Sequence, residues 1–255
     1  MIVTRTIAET RAALTDAGEL GLVPTMGAYH AGHLALFAAA REENDLVVAS
    51  LFVNPAQFGD PADLERYPRD EAADAAIAEE AGVDVLFAPP VDELYPPGYE
   101  TWVEVERASR GLEGEHRPGH FRAVATICLK LFHIVRPRRA YFGQKDAQQV
   151  EVVRRMVRDL DLELELRVVP TVRDADGLAL SSRNALLSPE ERQRALALPR
   201  ALATRDPERA RELLADLDVD YVEIAPFDPP VLAAAIRIGG TRLIDNVPLD
   251  EGGSE

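Results

Sequence analysis

The chain has 255 residues, 47% hydrophobic and 28% charged, an ordinary composition for a soluble protein with one large or two modest domains. Its formal net charge of −16 argues against nucleic-acid and acidic-membrane partners, because binding to either requires clustered cations. We expect a cytoplasmic protein, since no apolar run reaches the roughly 18 residues of a membrane helix and the N-terminus has no secretory hydrophobic segment.

Predicted strands and helices alternate along residues 1–172. In chain order, the patterns predict a helix from 6 to about 16, a strand at 20–25, a helix that opens at 30–33, a strand at 46–53, a loop around Pro61, a helix at 70–81, a strand at 83–88, a short alternating strand at 101–106, a helix at 120–135, a strand at 140–142, a helix at 146–160 and a strand at 164–172. Thr6 and Glu9 fit a capping box for the first helix. The alternation predicts an α/β fold: a Rossmann-like, doubly wound parallel sheet that binds ligands beyond the carboxyl ends of its strands.

The pattern changes after residue 172. Ser188, Pro189 and Glu191 have the spacing of a capped helix start. Further on we predict a short helix after a break at 205–207, a strand at 221–224, a helix near Leu232, a strand at 242–246 and a frayed tail at 251–255. Residues 173–255 are therefore expected to form a small α+β domain.

The segment at 24–33, Pro-Thr-Met-Gly-Ala-Tyr-His-Ala-Gly-His, joins the first long strand to a helix. His30 and His33 are three residues apart, so both imidazoles lie on one side of the first helical turn. The unpaired amide groups of that turn and the helix dipole favour an anion, and Gly32 lets a ligand approach the backbone closely. The segment predicts a nucleotide phosphate at the helix N-terminus, although the same spacing also suits a local helix cap.

Lysine is rare in this chain: among 28 basic residues, only Lys130 and Lys145 are not arginine. Lysine presents a compact charge, whereas arginine presents a planar fork. Lys145 lies in Gly-Gln-Lys-Asp between a predicted strand and a predicted helix, which is a second candidate phosphate position. Lys130 lies in an apolar helix pattern, and a surface ion pair is the alternative interpretation for Lys145.

Three further segments carry candidate groups. Residues 176–184 end in Ser-Ser-Arg-Asn, which suits either an anion clamp or a helix-capping loop. Asn54 and Gln57 offer two amides beside Phe58, an arrangement that suits a small polar organic substrate. The polar loop at 113–122 is more simply a solvated connection.

Several catalytic motifs are absent from the sequence. It contains no phosphate-binding P-loop, no dinucleotide fingerprint, no His-Glu-x-x-His and no Gly-x-Ser-x-Gly. The single cysteine, Cys128, excludes an intrachain disulfide and a cysteine-based zinc cluster. Hydride transfer, zinc hydrolysis and serine acylation are therefore not expected.

Taken together, the motifs resemble the pantoate–β-alanine ligase (pantothenate synthetase) family of the cytidylyltransferase-like superfamily. The resemblance covers nearly the whole chain and rests on six segments in the family's order and spacing: 24–33, 52–59, 67–69, 117–122, 141–149 and 170–184. It implies a two-step reaction in which the carboxylate of (R)-pantoate attacks the α-phosphate of ATP, giving pantoyl adenylate and pyrophosphate. The amine of β-alanine then displaces AMP and forms pantothenate.

The resemblance also implies the site. His30, His33, Lys145 and Arg183 are the expected catalytic residues, with His33 as proton donor and Lys145 neutralising the migrating charge. ATP would be bound by Met26, Gly27, Ala28, Tyr29, His30, Ala31, Gly32, His33, Gly143, Gln144, Lys145, Asp146, Val172, Leu180, Ser181, Ser182 and Arg183. Pantoate and β-alanine would be bound by Asn54, Gln57 and Gln149. ATP would enter with Mg²⁺ as a substrate complex, with no prosthetic group and no metal-binding side chain.

By the same resemblance, residues 1–172 form the nucleotide- and pantoate-binding domain, residues 173–255 form a lid, and the protein is a homodimer with small-molecule substrates. The sequence departs from the family at Gln144, where glutamate is usual, at Ala73, the neighbour of Asp74, and in a shorter stretch between about 203 and 219. Ala73 argues against a protein-held magnesium site there. Two alternatives stay open: an adenylyltransferase acting on a nucleotide or phosphopantetheine, and a catalytically silent metabolite-binding protein.

Overall fold

Strands and helices alternate over the first two thirds of the computed structural model, which describes residues 1–15 and 17–249. The strands are β1 (Ile2–Thr4), β2 (Leu20–Thr25), β3 (Leu46–Leu51), β4 (Val85–Phe87), β5 (Arg139–Gly143), β6 (Glu165–Val169), β7 (Asp218–Ala225), β8 (Val231–Ile238) and β9 (Thr241–Pro248). The helices are α1 (Ile7–Ala13), α2 (Ala31–Glu43), α3 (Pro61–Arg66), α4 (Glu71–Glu80), α5 (Val91–Leu94), α6 (Leu112–His116), α7 (His120–Val135), α8 (Ala147–Asp159), α9 (Pro189–Ala195), α10 (Ala197–Leu202) and α11 (Pro207–Leu213). Short 3₁₀ turns cover Pro55–Gln57, Gln144–Asp146 and Ser182–Leu186. The predicted helix end near Asp16 and the predicted tail at 251–255 lie outside the described residues.

Within the described residues, six strands form one sheet in the order β1-β4-β3-β2-β5-β6. The pairs β1–β4, β4–β3, β3–β2 and β2–β5 are parallel, and the predicted Rossmann-like α/β fold is confirmed. In the longest register, Leu20 lies opposite Leu46 and Thr25 opposite Leu51. The strand order reverses at β2, so the carboxyl end of β2 lies at the switch point where such sheets bind ligands.

The core of this sheet follows from the apolar runs of the sequence. Val47, Val48 and Ala49 of β3 are completely buried, as expected for a strand covered on both faces. Phe37 of α2 belongs to the same buried cluster as Val47. Burial of a side chain such as Phe37 stabilises the fold by about 1.5–3 kcal/mol.

The chain forms two compact units. The first consists of Met1–Phe142 with Val152–Val169, and the second of Gly143–Glu151 with the residues from Pro170 onward. In the second unit, β7, β8 and β9 form an antiparallel sheet. Its buried side chains form one cluster with residues of α9, α10 and α11, which confirms the small α+β architecture.

Local end signals predicted two helix starts. The Thr6 side chain accepts from the backbone N–H of Glu9, whose carboxylate accepts from that of Thr6, and Ser188 and Glu191 make the same reciprocal pair. Each pair satisfies two amide groups that a helix leaves without partners at its start. Both predictions are confirmed because a cap depends only on neighbours three residues apart.

Three predictions in the sheet and loop regions are wrong. Residues 101–106 are not a strand: the backbone N–H of Val103 donates to Thr126 Oγ1 at 3.0 Å, and no strand of the described chain pairs with the segment. The helix expected near Leu232 is strand β8, because its continuous apolar run reflects burial and not helical periodicity. The loop around Pro61 contains helix α3, whose first turn is capped by Asp60.

Strand β1 was not predicted at all. Ile2 and Val3 are exposed, so the segment lacks the burial pattern of a strand. Its pairing with β4, from Ile2 opposite Val85 to Thr4 opposite Phe87, defines it instead. Across residues 1–15 and 17–249, no helix combines the length and apolarity that crossing a membrane requires.

Candidate active site

The loop after β2 is held by a buried carboxylate from helix α4. Asp74 is 4% exposed, and its two carboxylate oxygens accept the backbone N–H groups of Ala28 and Tyr29, each at 2.8 Å. Gly27 lies in the left-handed region with φ +86°, and a Cβ there would fall 2.6 Å from Asp74 Oδ2. The carboxylate and the glycine therefore require each other, and together they set the path of the loop into α2.

His30 and His33 cap the helix that this loop leads into. The Nδ1 atom of His30 accepts from the Gly32 N–H at 3.1 Å, and the Nδ1 atom of His33 accepts from the His30 N–H at 3.3 Å. With both Nδ1 atoms acting as acceptors, the proton of each neutral imidazole is on Nε2. The two rings lie 4.3 Å apart between centroids, so two Nε2–H donors are brought close together at the start of α2.

The amide groups of this turn are not all unpaired, contrary to the expectation from the sequence. The Gly32 N–H donates to His30 Nδ1, and the His33 N–H donates to the carbonyl oxygen of His30 at 2.8 Å. A Cβ on Gly32 would lie 2.8 Å from His30 Cε1, so the glycine makes room for the imidazole itself. The predicted helix cap exists, and the donors with which it can meet an anion are imidazoles.

The Tyr29 ring packs against the His33 imidazole. The two ring centroids lie 5.2 Å apart, and the Tyr29 ring also packs edge-on against Phe37 at 5.2 Å. Its hydroxyl accepts from Thr25 Oγ1 at 3.1 Å, and burial raises the pKa of Tyr29, so the phenol stays neutral. These contacts hold the Tyr29 ring in place, and the ring in turn restricts the position of the His33 imidazole.

Asn54 and Gln57 form a second polar group after β3, the strand next to β2. Asn54 is 1% exposed, and its Nδ2 donates to Gln57 Oε1 at 2.9 Å. The Nε2 group of Gln57 supplies donors that suit a carboxylate or hydroxyl oxygen, while Oε1, bonded to Asn54, keeps a second lone pair. Asn54 also caps the turn, with Oδ1 accepting from the Ala56 N–H at 3.3 Å.

The loop at 113–122, interpreted from sequence as a solvated connection, contributes a buried histidine to this group. His120 is 7% exposed, and its Nδ1 donates to the carbonyl oxygen of Gln57 at 3.2 Å. Its Nε2 accepts from Arg117 Nη1 at 3.1 Å. The signal that sequence reasoning passed over was a histidine at the start of an apolar helix, where a polar side chain needs a partner.

In the second unit, three predicted anion-binding residues line one cleft. Lys145, Ser181 and Arg183 border it together with Asn184, Arg242 and Asp245. Lys145 is on the 3₁₀ turn before α8, and its Nζ lies 3.9 Å from the Asp146 carboxylate. Ser181 begins the next turn, its hydroxyl accepting from the Arg183 N–H at 3.3 Å. Cations and hydroxyls thus meet in a chain that is otherwise strongly acidic.

Two further predicted residues of this unit, Val172 and Leu180, are joined by a backbone hydrogen bond. The Leu180 N–H donates to the carbonyl oxygen of Val172 at 3.0 Å, which closes a small hairpin around Gly177. Gln149 is half-buried in the first turns of α8. The histidine loop with Asn54 and Gln57 belongs to the first unit, and the lysine cleft with Gln149 belongs to the second.

The other lysine has a different environment. Lys130 is on α7, with its Nζ 4.6 Å from the centre of the Tyr99 ring and 5.8 Å from that of Tyr95. Burial lowers the pKa of Lys130, and the aromatic faces stabilise its charge. Lys130 packs within an aromatic cluster and is not part of the phosphate motifs.

The described chain offers no ready-made metal centre. No group of three or more His, Cys, Asp or Glu side chains that could hold a metal ion occurs within residues 1–15 and 17–249. Asp74, whose carboxylate lies against the histidine loop, uses both of its oxygens on backbone amides. Its role in the structure is to fix the loop.

Comparison with known proteins gives a consistent result. A family model described as pantoate-beta-alanine ligase matches residues 2–248. A pantothenate synthetase from Pelotomaculum thermopropionicum is 48% identical, covering 98% of this chain and 100% of that protein, and one from Heliobacterium modesticaldum is 52% identical, covering 91% and 92%.

Solved structures agree. The pantothenate synthetase of Thermus thermophilus matches with a TM-score of 0.93 at 48% identity, covering 98% of this chain and 99% of its own. The pantoate-beta-alanine ligase of Francisella tularensis, solved in complex with beta-gamma ATP and beta-alanine, matches with a TM-score of 0.89 at 34% identity, covering 99% of each chain.

The Asp74 clamp yields a prediction. Asp74→Asn keeps the shape of the side chain but turns one acceptor into a donor that faces a backbone N–H, leaving a buried donor unpaired. We expect the free energy of unfolding to fall by about 2 kcal/mol. Chemical denaturation measures the loss, and Asp92→Asn, at an exposed aspartate, is the control. Equal stability of the two variants would contradict the clamp.

Proposed function

The chain belongs to the pantoate–β-alanine ligase family, and we infer that it joins pantoate to β-alanine at the expense of ATP, releasing AMP and pyrophosphate. A carboxylate is a poor acylating agent, and a mixed anhydride with AMP supplies the leaving group that amide formation needs. The first step brings two anions together, so cations and oriented donors are its main requirement. The observation that carries the proposal is the grouping of Lys145, Ser181 and Arg183 around one small cavity of the second unit.

We propose that His30 and His33 bind ATP phosphates through Nε2. Their Nδ1 atoms accept from the backbone, which orients each Nε2–H as a donor. The resemblance assigns His33 as the proton donor. With its Nδ1 accepting the His30 N–H, His33 would act by donating a hydrogen bond from Nε2 to the departing pyrophosphate, and it would keep its proton. Tyr29 supports this assignment because its neutral, buried ring fixes the position of the His33 imidazole.

In the second unit, we propose that Lys145 neutralises the charge that moves from the α-phosphate to the leaving pyrophosphate. Ser181, Ser182 and Arg183 would hold its β and γ phosphates. Backbone groups of Gly143 and Val172 would contact the adenosine, and Met26, Gly27, Ala28, Ala31, Gly32, Gln144, Asp146 and Leu180 would complete ATP binding. The compact ammonium of Lys145 suits a single point of charge, whereas the planar guanidinium of Arg183 suits bidentate binding of phosphate oxygens.

Gln57 and Gln149 are the proposed ligands of pantoate. The bond from Asn54 orients the Gln57 amide, whose Nε2 hydrogens match the oxygen-rich chemistry of a hydroxy acid. Asn54 would act by holding Gln57 in that orientation. Mg²⁺ would enter on the phosphates of ATP as part of the substrate, since the oxygens of Asp74 are engaged by backbone amides.

A cytoplasmic location is also proposed, in keeping with one free, buried cysteine and an acidic chain. The lid role of residues 173–255 and its boundary at residue 172 stay predictions.

Cys128 is a poor nucleophile, because burial raises its pKa to about 12. A covalent intermediate on this thiol is therefore not proposed.

The two-step order is tested by isotope exchange. Labelled pyrophosphate should enter ATP when pantoate is present and β-alanine is absent, because adenylate formation is reversible on its own. β-Alanine alone should support no exchange. Exchange that requires β-alanine would contradict the two-step order, and exchange without pantoate would favour the rival adenylyltransferase.

Lys145 provides a mutational test. Lys145→Ala should lower the rate of adenylate formation by about 10²–10³, the usual cost of losing one charge-stabilising contact. Lys145→Arg should recover only part of the rate, because a fork replaces a point charge. Lys130→Arg is the matched control, since it keeps a cation on the tyrosine rings. Wild-type turnover in Lys145→Ala would refute the assignment.

The homodimer is proposed on the family resemblance alone. Trp102 is the residue that the sequence offers as an apolar patch for such a contact. Its ring stacks on Tyr95 with centroids 5.9 Å apart and lies 4.9 Å from the Arg122 guanidinium, so it packs on its own chain while remaining 37% exposed. Light scattering at micromolar concentration should give twice the 27.9 kDa mass of one chain. The mass of a single chain would exclude the dimer.

A further inference from the structure

A buried asparagine on β9 is bonded to the turn that carries Lys145. Asn246 is 3% exposed, and its Nδ2 donates to the carbonyl oxygens of Gln144 at 3.0 Å and Lys145 at 2.9 Å. Its Oδ1 accepts from Gln144 Nε2 at 3.0 Å. All three bonds lie within the second unit and join residues about a hundred positions apart in the chain.

The two carbonyl groups belong to the peptide units on either side of the Lys145 Cα. Fixing both peptide planes fixes the φ and ψ angles of Lys145, and these angles set the direction in which its Cβ leaves the backbone. The long lysine side chain keeps its own rotamer freedom, but it starts from a set point and direction at the cleft. The hydrogen bonds of Asn246 therefore determine where the Lys145 side chain leaves the backbone.

The asparagine is itself anchored on a rigid support. Its strand pairs with β8, with Ala233 opposite Asn246. Its backbone N–H donates to Asp245 Oδ1 at 2.8 Å, and Asp245, 2% exposed, receives two bonds from Arg173 at 2.6 and 3.0 Å. A bidentate pair of this kind is directional and strong, so it holds Asp245 and, through the bond from the Asn246 N–H, the backbone from which the Asn246 side chain leaves.

We propose that Asn246 is the positioning residue for Lys145: it fixes the Gln144–Asp146 turn so that the ammonium meets the α-phosphate. The proposal rests on the proposed function of Lys145 and adds to it the residue that holds the lysine in place. It also gives a physical account of Gln144. A glutamine donates to Asn246 Oδ1, whereas an ionised glutamate has no hydrogen to donate there.

The variant Asn246→Asp tests the proposal with almost no change in shape. It replaces the Nδ2 donor with an oxygen that faces two carbonyl oxygens, and the turn must move away. We expect pantoate-dependent exchange of pyrophosphate into ATP to slow by about tenfold or more, because small misplacements of a catalytic group cost large factors in rate. Asn246→Ala, which removes the bonds without repulsion, should give a smaller loss and covers the case in which the aspartate variant does not fold.

A double-mutant cycle separates positioning from general stability. If Asn246 acts through Lys145, then adding Asn246→Asp to Lys145→Ala should change the exchange rate by less than about twofold, since the positioned group is already gone. A purely structural defect would lower the rate by the same factor in both backgrounds, and that result would overturn the proposal.

Asn44→Asp is the matched control. Asn44 is 8% exposed in the first unit, and its Nδ2 donates to the Ala40 carbonyl oxygen and the Tyr141 hydroxyl, both at 2.7 Å. It should lose stability as Asn246→Asp does but keep its exchange rate. An equal loss of rate in both variants would show that buried asparagines affect the rate only through stability.

A crystal structure of Asn246→Asp gives a readout that does not depend on activity. Displacement of the Gln144–Asp146 turn and of Lys145 supports the proposal, and an unmoved Lys145 refutes it. If the wild-type protein catalysed no pantoate-dependent exchange, the proposed function would fail, while this structure would still decide whether Asn246 positions Lys145.

Discussion

The site depends on one constraint: backbone groups that leave regular structure in a buried place must still find partners. The loop after β2 turns through two left-handed residues, Gly27 with φ +86° and Ala28 with φ +53°, before α2 begins. Such a path leaves amide groups pointing away from any strand or helix. Asp74 receives two of them, and the histidines can be placed only because that loop is fixed.

The same solution recurs at the other candidate segments. Asn54 closes the turn that presents Gln57, and Asn246 closes the turn that presents Lys145. In each case a short, buried side chain bonds to a turn or to the functional residue on it. Short side chains have few rotamers, so the geometry they impose is well defined and loses little conformational entropy. The residues proposed to bind substrate are thus different from the residues that hold them in place.

Sequence reasoning succeeded where the determinants are local. The apolar run of β3, the capping boxes at Thr6 and Ser188, and the sheet class all follow from neighbours in the chain. Asp74 is 46 residues from Ala28, and Asn246 is 101 residues from Lys145, so no periodicity could connect them. The wrong prediction at 101–106 has a related origin. Alternating apolar and polar residues are compatible with a strand, but a strand forms only where its backbone pairs with a neighbouring strand. Strand β8, which contains Leu232, is buried on both faces. Its sequence is therefore a continuous apolar run and does not show the alternation of apolar and polar residues that is typical of a half-exposed strand.

The tautomers of His30 and His33 have a consequence for inhibition by transition metals. A pair of imidazoles this close would ordinarily attract Zn²⁺ or Cu²⁺, which bind a ring nitrogen that carries no proton. Here each Nδ1 lone pair is taken by a backbone N–H, and each Nε2 carries the proton. Metal binding at Nε2 would move that proton to Nδ1, directly against an amide hydrogen, and would cost a helix-capping bond of about 1 kcal/mol at each ring. The cap that orients the two donors therefore also disfavours metal binding at Nε2, by about 1 kcal/mol at each ring.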